Sequence, residues 1–387
     1  MSMRLFHVIP TLQVGGAATQ LRLLTQGLTR QDFDVHVCCF ARPRGPSIGE
    51  DLLDCGVELH SLDAAATLHA AAWWRLVQTM RVLRPDVVHI WGASPSVATR
   101  LAAIAAGMTK VVVSVRSRRE DRRLRSVLWQ KLLISRTSAL VSNHDSVQHQ
   151  LETMALDDRK LMVIRDGIAT RRSRASYTPS AGDRRLTDDL GIPRRSKLVG
   201  IMGPLIREKR IKDAIWAIDL LSCVRDDVHL VVLGDGGSIR ADLETFARQV
   251  EVDDRVHFLG TRHDVTEILK QLHVFWLTSE AESMSNGLME AMAAAVPVIA
   301  TKLPSVAELV VHERTGLIIN VGNRGDLARA TIRYLDEPQW AKHIGEAGQT
   351  HVLSRFPAEQ MVEQYIRLYR QLCGNGHSQT ALRRVQD

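Results

Sequence analysis

The stretch VFWLTSEAESMSNGLMEAMAAAVPVIAT, residues 274–301, decides the fold. VFWLTS (274–279) and PVIAT (297–301) are apolar runs of strand length, and the Ala- and Met-rich segment between them has helical composition. Strands that are apolar throughout are buried on both faces, and strands separated by helices pair in parallel. Working outward, the same half holds KLVGIMG (197–203), HLVVLGD (229–235), RVHFLG (255–260) and GLIIN (316–320), with helical stretches such as Asp213–Leu221 and Ile239–Val250. The first half repeats the architecture: RLFHVIP (4–10), DVHVCCF (34–40), DVVHIW (86–91), KVVVSV (110–115) and SALVSN (138–143), with Ala18–Thr29 and Trp73–Leu83 as helices. The expected class is α/β, two doubly wound parallel-sheet domains of Rossmann type.

The segment 171–195, RRSRASYTPSAGDRRLTDDLGIPRR, is polar and basic with Gly and Pro, the composition of a linker between cores. It sets the expected domains at 1–170 and 196–356. A helix over 357–372 and a loose polar tail over 373–387 follow. The 387 residues are enough for two cores, and 45% hydrophobic content excludes a disordered chain. The net charge of +7 suits an anionic partner, whether nucleic acid, membrane surface or phosphate ester. Aromatic content of only 5%, with no stacking platform, speaks against nucleic acid. Five cysteines, an odd number without a C-x-x-C pair, argue against a disulfide framework and against a zinc site, and favour a reducing compartment. There is no 18-residue apolar run and no signal-peptide pattern at the start, so the expectation is a cytoplasmic protein.

Glu282 and Glu290 lie eight residues apart, the first after a strand and the second inside the helical run. Ser283, Met284, Ser285, Asn286 and Gly287 mark a loop turning into a helix start. A helix N-terminus presents unpaired N–H groups and a positive dipole end, which suits a diphosphate. Carboxylates suit sugar and ribose hydroxyls, because they accept several hydrogen bonds. Gly15 and Gly16, after the first strand, allow a backbone to approach an anion. The dinucleotide fingerprint G-x-G-x-x-G is absent there. Gly234, Gly236 and Gly237 read as turn glycines.

The segment TSEAESMSNGLMEAMAAAVPVIAT strongly resembles the donor-site signature of glycosyltransferase family 4, retaining enzymes of the GT-B fold. GPLIREKRIKDAIWA (203–217), VLGDGGSIRADLE (232–244), VHFLGTRHDVTEIL (256–269), VSNHDSVQHQL (141–151) and VIRDGIAT (163–170) follow in family order. The resemblance implies two domains facing a central cleft and a hexose-type sugar moved from a nucleotide diphosphate sugar. The implied acceptor is a glycan or lipid-linked molecule of polysaccharide or glycoconjugate biosynthesis. It implies catalysis by Lys209 and Glu282. Donor contacts would come from Gly15, Gly16, Lys209, Leu259, Gly260, Met284, Ser285, Asn286, Gly287 and Glu290. Lys209 matches the lysine that steadies the leaving diphosphate. No Asp/His grouping with metal-ligand spacing occurs, and the family works without bound metal or cofactor, the nucleotide sugar being substrate.

The chain departs from the family pattern in places. Pro204 stands where the family usually has an arginine, and Arg207 and Arg210 are near but do not match. Arg116 takes the place of the first-domain histidine, with phosphate contact, acceptor contact and plain surface all open. His89 ends a strand and is either an acceptor contact or structural; Trp91 replaces the histidine that often follows it. These departures leave an inactive nucleotide-sugar-binding homologue or partner subunit as the alternative, and an epimerase as the enzymatic rival. The segment Arg116–Arg136 has eight basic and two acidic residues and can form an amphipathic helix. Such a helix suits peripheral attachment to an anionic membrane at its cytoplasmic face.

Overall fold

The computed structural model describes residues 2–43, 45–63, 70–92, 96–116, 133–145, 160–169 and 185–374. The chain divides into two compact units, Met1–Gly167 with Ala358–Asp387, and Ile168–Pro357.

The first unit holds β1 (Arg4–Thr11), β2 (Asp34–Ala41), β3 (Glu58–Ser61), β4 (Val87–Trp91), β5 (Val111–Val115), β6 (Ala139–Ser142) and β7 (Leu161–Val163). They pair in the order β3-β2-β1-β4-β5-β6-β7, parallel throughout. The second unit holds β8 (Lys197–Met202), β9 (Val228–Leu233), β10 (Val256–Gly260), β11 (Val274–Leu277), β12 (Val298–Thr301) and β13 (Leu317–Ile319). Their order is β10-β9-β8-β11-β12-β13, again all parallel. Every residue of β4, β5, β9 and β11 is buried, as expected of Val- and Ile-rich strands covered on both faces.

Each sheet starts near its middle, grows one way, then crosses back past its first strand and grows the other way. The reversal falls between β1 and β4 in one unit and between β8 and β11 in the other. Connections leave those neighbouring strands toward opposite faces, so a crevice opens at their carboxyl ends. Loops following β8 and β11 therefore meet at the place where such folds bind ligands.

Helices confirm the periodic stretches with small shifts in their ends: Gly16–Thr29, Ala70–Leu83, Ile211–Ser222 and Ser238–Gln249. The last helix, Ala358–Cys373, buries Met361, Val362, Tyr365, Ile366, Leu368 and Tyr369. It packs on helix Gly16–Thr29 and β4, and so belongs to the first unit. The sequence places this helix after the second domain and gives no sign of its return. Of the segment 171–195, residues 185–195 fall in the second unit and include a short helix, Leu186–Asp189. The rest of that segment, most of the basic stretch 116–136 and the tail beyond residue 374 lie outside the described residues. Among the described residues no helix is long and apolar enough to cross a membrane.

Candidate active site

The crevice of the second unit is built by three loops. The first leaves β8 at Gly203, whose φ of +143° suits a residue without a side chain. Its N–H bonds to Leu233 O at 2.9 Å, tying it to the end of β9. The buried Leu205 anchors the loop, which then makes one short helical turn, Arg207–Lys209. Arg210 adopts a left-handed φ of +51° and turns the chain into helix Ile211–Ser222. Gly234 explains how tightly these loops meet. A Cβ at that position would lie 1.9 Å from Gly203 O. Gly234 also donates to Gly260 O at 2.8 Å, so Leu259 and Gly260, at the carboxyl end of β10, join the same loop layer.

The second loop follows β11. Thr278 Oγ1 donates to Lys209 O at 2.7 Å, and Glu280 N donates to Glu208 O at 2.9 Å. These bonds clamp the β8 and β11 loops together. The Lys209 ammonium then meets the Glu282 carboxylate as an ion pair, their side chains only 13% and 12% exposed. Ser279 Oγ donates to the same Glu282 oxygen at 2.7 Å. Thr301, at the end of β12, and Ser305 hold the loop from below through Ser279 O (2.6 Å) and Glu282 O (3.1 Å). Ser285 caps helix Asn286–Ala293 by accepting from Leu288 N at 3.4 Å. Met284 and Leu288 are buried beneath it. Gly287 is pressed against Met202, where a Cβ would stand 3.2 Å from Cε. Glu290 lies one turn beyond Asn286 on the same helix face, half-buried.

Lys209, Glu282, Met284–Gly287 and Glu290 thus share the crevice at the β8–β11 reversal, with Leu259 and Gly260 along its edge. Pro204 is exposed on the first loop, as is Arg207. Arg210 is engaged by Glu280 at 3.0 Å and Asp213 at 2.6 Å, carboxylates that hold its guanidinium above the ordinary arginine range. Arg324 bonds the other Asp213 oxygen at 2.8 Å.

The remaining expected residues lie in the first unit. Gly15 and Gly16 start helix Gly16–Thr29 beyond the carboxyl end of β1; Gly15 has an extended φ of 172° and a Cβ there would meet nothing closer than 3.9 Å. His89 is buried, with Nδ1 2.6 Å from Tyr369 Oη and Nε2 2.8 Å from Ser114 Oγ. Burial, then the nearby His7 and Arg116, holds its imidazole well below the ordinary range. Both ring nitrogens are occupied within the unit, which makes this histidine a tie between sheet and C-terminal helix. Arg116 ends β5 and grips Asp166 with two nitrogens, one at 2.6 Å; Asn143 Nδ2 reaches Asp166 at 2.9 Å. Asp166 and Asn143 escaped the sequence reading, although both lie in the quoted stretches VIRDGIAT and VSNHDSVQHQL. Ser279 escaped too; its place three residues before Glu282 was the available signal.

The sequence shows no grouping with metal-ligand spacing, but the fold brings one together. His36, Glu58 and His60 converge where β2 pairs with β3, within the first unit. Pairing of neighbouring strands, which residue spacing does not reveal, is the reason.

Two family profiles match the chain, "Glycosyltransferase Family 4" over residues 14–172 and "Glycosyl transferases group 1" over residues 183–351. The chain belongs to glycosyltransferase family 4. Among its relatives, N-acetyl-alpha-D-glucosaminyl L-malate synthase of Bacillus anthracis is 30% identical over 48% of this chain and 48% of its own length. Vi polysaccharide biosynthesis protein VipC/TviE of Salmonella typhi is 25% identical over 73% of this chain and 50% of its own length. The chain thus spans about half the length of these curated relatives. An Escherichia coli UDP-Gal:alpha-D-GlcNAc-diphosphoundecaprenol alpha-1,3-galactosyltransferase is 24% identical over 68% of this chain and 69% of its own length. Among solved structures, Anabaena HepE in complex with UDP and glucose superposes with a TM-score of 0.78 at 20% identity, over 95% of this chain and all of that one. That likeness establishes the family 4 fold, GT-B, with its two Rossmann-like parallel sheets.

Proposed function

We propose that this family 4 chain transfers a hexose-type sugar from a nucleoside diphosphate sugar to a glycan or lipid-linked acceptor, with retention of configuration. The observation that carries the reading is the pairing of Lys209 with Glu282 beside the capped start of helix Asn286–Ala293. A cation and a set of N–H donors at one crevice suit a pyrophosphate, whose negative charge grows as the glycosidic bond breaks. In this reading Lys209 leaves Glu282 for the diphosphate, and the freed carboxylate takes hydroxyls of the transferred sugar. Glu290 accepts from the ribose, while Leu259 and Gly260 lie along the base. Lysine and helix dipole together do the charge-stabilising work, so the reacting centre uses no bound metal. Relatives named for lipopolysaccharide core biosynthesis, for Vi polysaccharide biosynthesis and for galactosyl transfer to a GlcNAc-diphosphoundecaprenol support the acceptor class.

A panel of UDP-, GDP- and ADP-sugars, read by thermal shift and by release of nucleoside diphosphate, tests the proposal. The matching donor raises the melting temperature by mass action and turns over with an acceptor. Glu290→Ala removes that shift and the turnover. No stabilisation by any nucleoside diphosphate or its sugars rejects the reading. Binding without turnover on any acceptor points instead to a non-catalytic homologue.

A further inference from the structure

Three side chains of the first unit converge at a place the donor chemistry does not use. The parallel register sets His36 of β2 against Glu58 of β3, and Cys38 against His60. Alternate residues of a strand share a face, so all three side chains stand on one side of the sheet. His36 Nδ1 lies 3.2 Å from His60 Nε2 and 3.2 Å from Glu58 Oε2. One ligand atom from each residue lies within 4.8 Å of the other two. His36 is buried, His60 half-buried and Glu58 exposed, so an ion can reach the group from solvent.

The two separations from His36 Nδ1 fit the edges of a tetrahedral zinc site. Bonds of about 2.0–2.1 Å to imidazole and carboxylate place neighbouring ligand atoms about 3.3 Å apart. Hydrogen bonding alone serves the trio poorly. A proton on His36 Nδ1 points along one line, yet a nitrogen and a carboxylate oxygen both face it. Without that proton, its lone pair is turned on the carboxylate. A cation at the centre receives all three lone pairs. Behind the ring, Asp34 Oδ1 lies 3.1 Å from His36 Nε2, and Arg4 Nε holds Asp34 at 2.5 Å. That nitrogen makes no hydrogen bond among the described residues, so the carboxylate stands close without being engaged. A carboxylate behind a ligating imidazole fixes its tautomer and strengthens it as a ligand.

The second unit provides an internal comparison. His229 of β9 and His257 of β10 stack with centroids 5.3 Å apart, as His36 and His60 do at 5.5 Å. Their facing nitrogens are 3.1 Å apart. The register pairs Leu230 with Val256 and Val231 with His257, so the diagonal is the same, and Asp227 takes the place of Asp34. Beside His229, in the place of Glu58, stands Arg255, whose charge bears on that imidazole. Among the described residues this second pair joins no three-ligand group. The histidine pair is common to both sheets, whereas the carboxylate that completes a ligand set is present in the first alone.

We propose that His36, Glu58 and His60 bind one divalent transition-metal ion of the zinc class, with water in the fourth position, bracing the edge strand β3 to β2. Tag-free full-length protein is stripped with EDTA, then titrated with Zn2+ by calorimetry and with Co2+ by visible absorption. One equivalent binds, and Co2+ shows tetrahedral bands without a thiolate charge-transfer band. Glu58→Gln, an exposed change that leaves packing intact, and His60→Gln each weaken Zn2+ binding at least tenfold. His257→Gln leaves it unchanged. Absence of one-equivalent binding, or binding that survives both first-unit variants, overturns the proposal. So does a thiolate band, or loss of binding in His257→Gln.

Discussion

Replacing Lys209 by methionine separates what the residue does for the fold from what it does for transfer. The Lys209 and Glu282 side chains are both about nine-tenths hidden, and after the change Glu282 keeps only the Ser279 hydroxyl at 2.7 Å among its described side-chain partners. Stranding a fully buried carboxylate costs about 3–5 kcal/mol, so this slightly exposed one loses about 1–3 kcal/mol. Adding Glu282→Gln removes the second charge while the amide still accepts from Ser279, and stability returns to within about 1 kcal/mol of the parent. Transfer follows a different course. A preorganised donor facing the leaving diphosphate is worth about 10²–10³ in kcat, or about 2.7–4 kcal/mol, and the double variant does not recover it. Urea unfolding reports the first quantity and donor-dependent product formation the second. If the double variant regained both stability and turnover, Lys209 would be only the counter-ion of Glu282. If the single variant kept parental kcat, the crevice would not be the reacting centre.

Asp166→Asn removes the carboxylate that the Arg116 guanidinium, 10% exposed, grips; unfolding experiments should register a loss of about 1–3 kcal/mol. Acid should weaken the first unit through His7 and His89. Burial pushes His7 down to about 3, and burial followed by the neighbouring His7 and Arg116 charges pushes His89 well below its ordinary value. The folded form keeps both neutral while the unfolded chain protonates them near pH 6.5. Stability is therefore full above that pH and falls by about 1.4 kcal/mol per unit per histidine below it, continuing toward pH 3 for His7. A denaturant midpoint unchanged between pH 7.5 and pH 5.5 would contradict this. Gly234→Ala pushes a methyl group to 1.9 Å from Gly203 O at a φ of +135°, so the variant should be recovered mostly insoluble or with a melting temperature lowered by many degrees. A well-behaved Gly234→Ala protein would show that the glycine layer is not as rigid as described.

Both sheets were legible because their central strands are short, mostly apolar runs such as VVHIW and VFWL that alternate with helical stretches, as buried parallel strands do. β3 escaped because ELHS has one apolar residue in four and neither an apolar run nor an alternation, and β7 because three residues carry no period. Lys209 and Glu282 were each legible as motif residues, but their mutual ion pair was not, since it depends on which strands become neighbours at the sheet's reversal. The same limit hid the Arg116–Asp166 grip, which joins the ends of β5 and β7 across β6, and the His36–Glu58–His60 group, which joins neighbouring β2 and β3. His89 shows the converse. Read as a strand end, it left acceptor contact and a structural role both open; it lies mid-strand in β4, and its partner Tyr369 sits 280 residues away on the last helix.

That last helix sets a schedule for the ribosome. The amino-terminal part of the first unit is synthesised before the second unit, but its layer around His89 and β4 packs on Tyr365 and Tyr369, translated after the whole second unit. The second unit has all its strands before that point and can become native earlier. A nascent chain therefore holds the amino-terminal sheet without the helix that packs on β4 until the second unit has been made, and a stop codon before the final helix would injure the unit begun earlier.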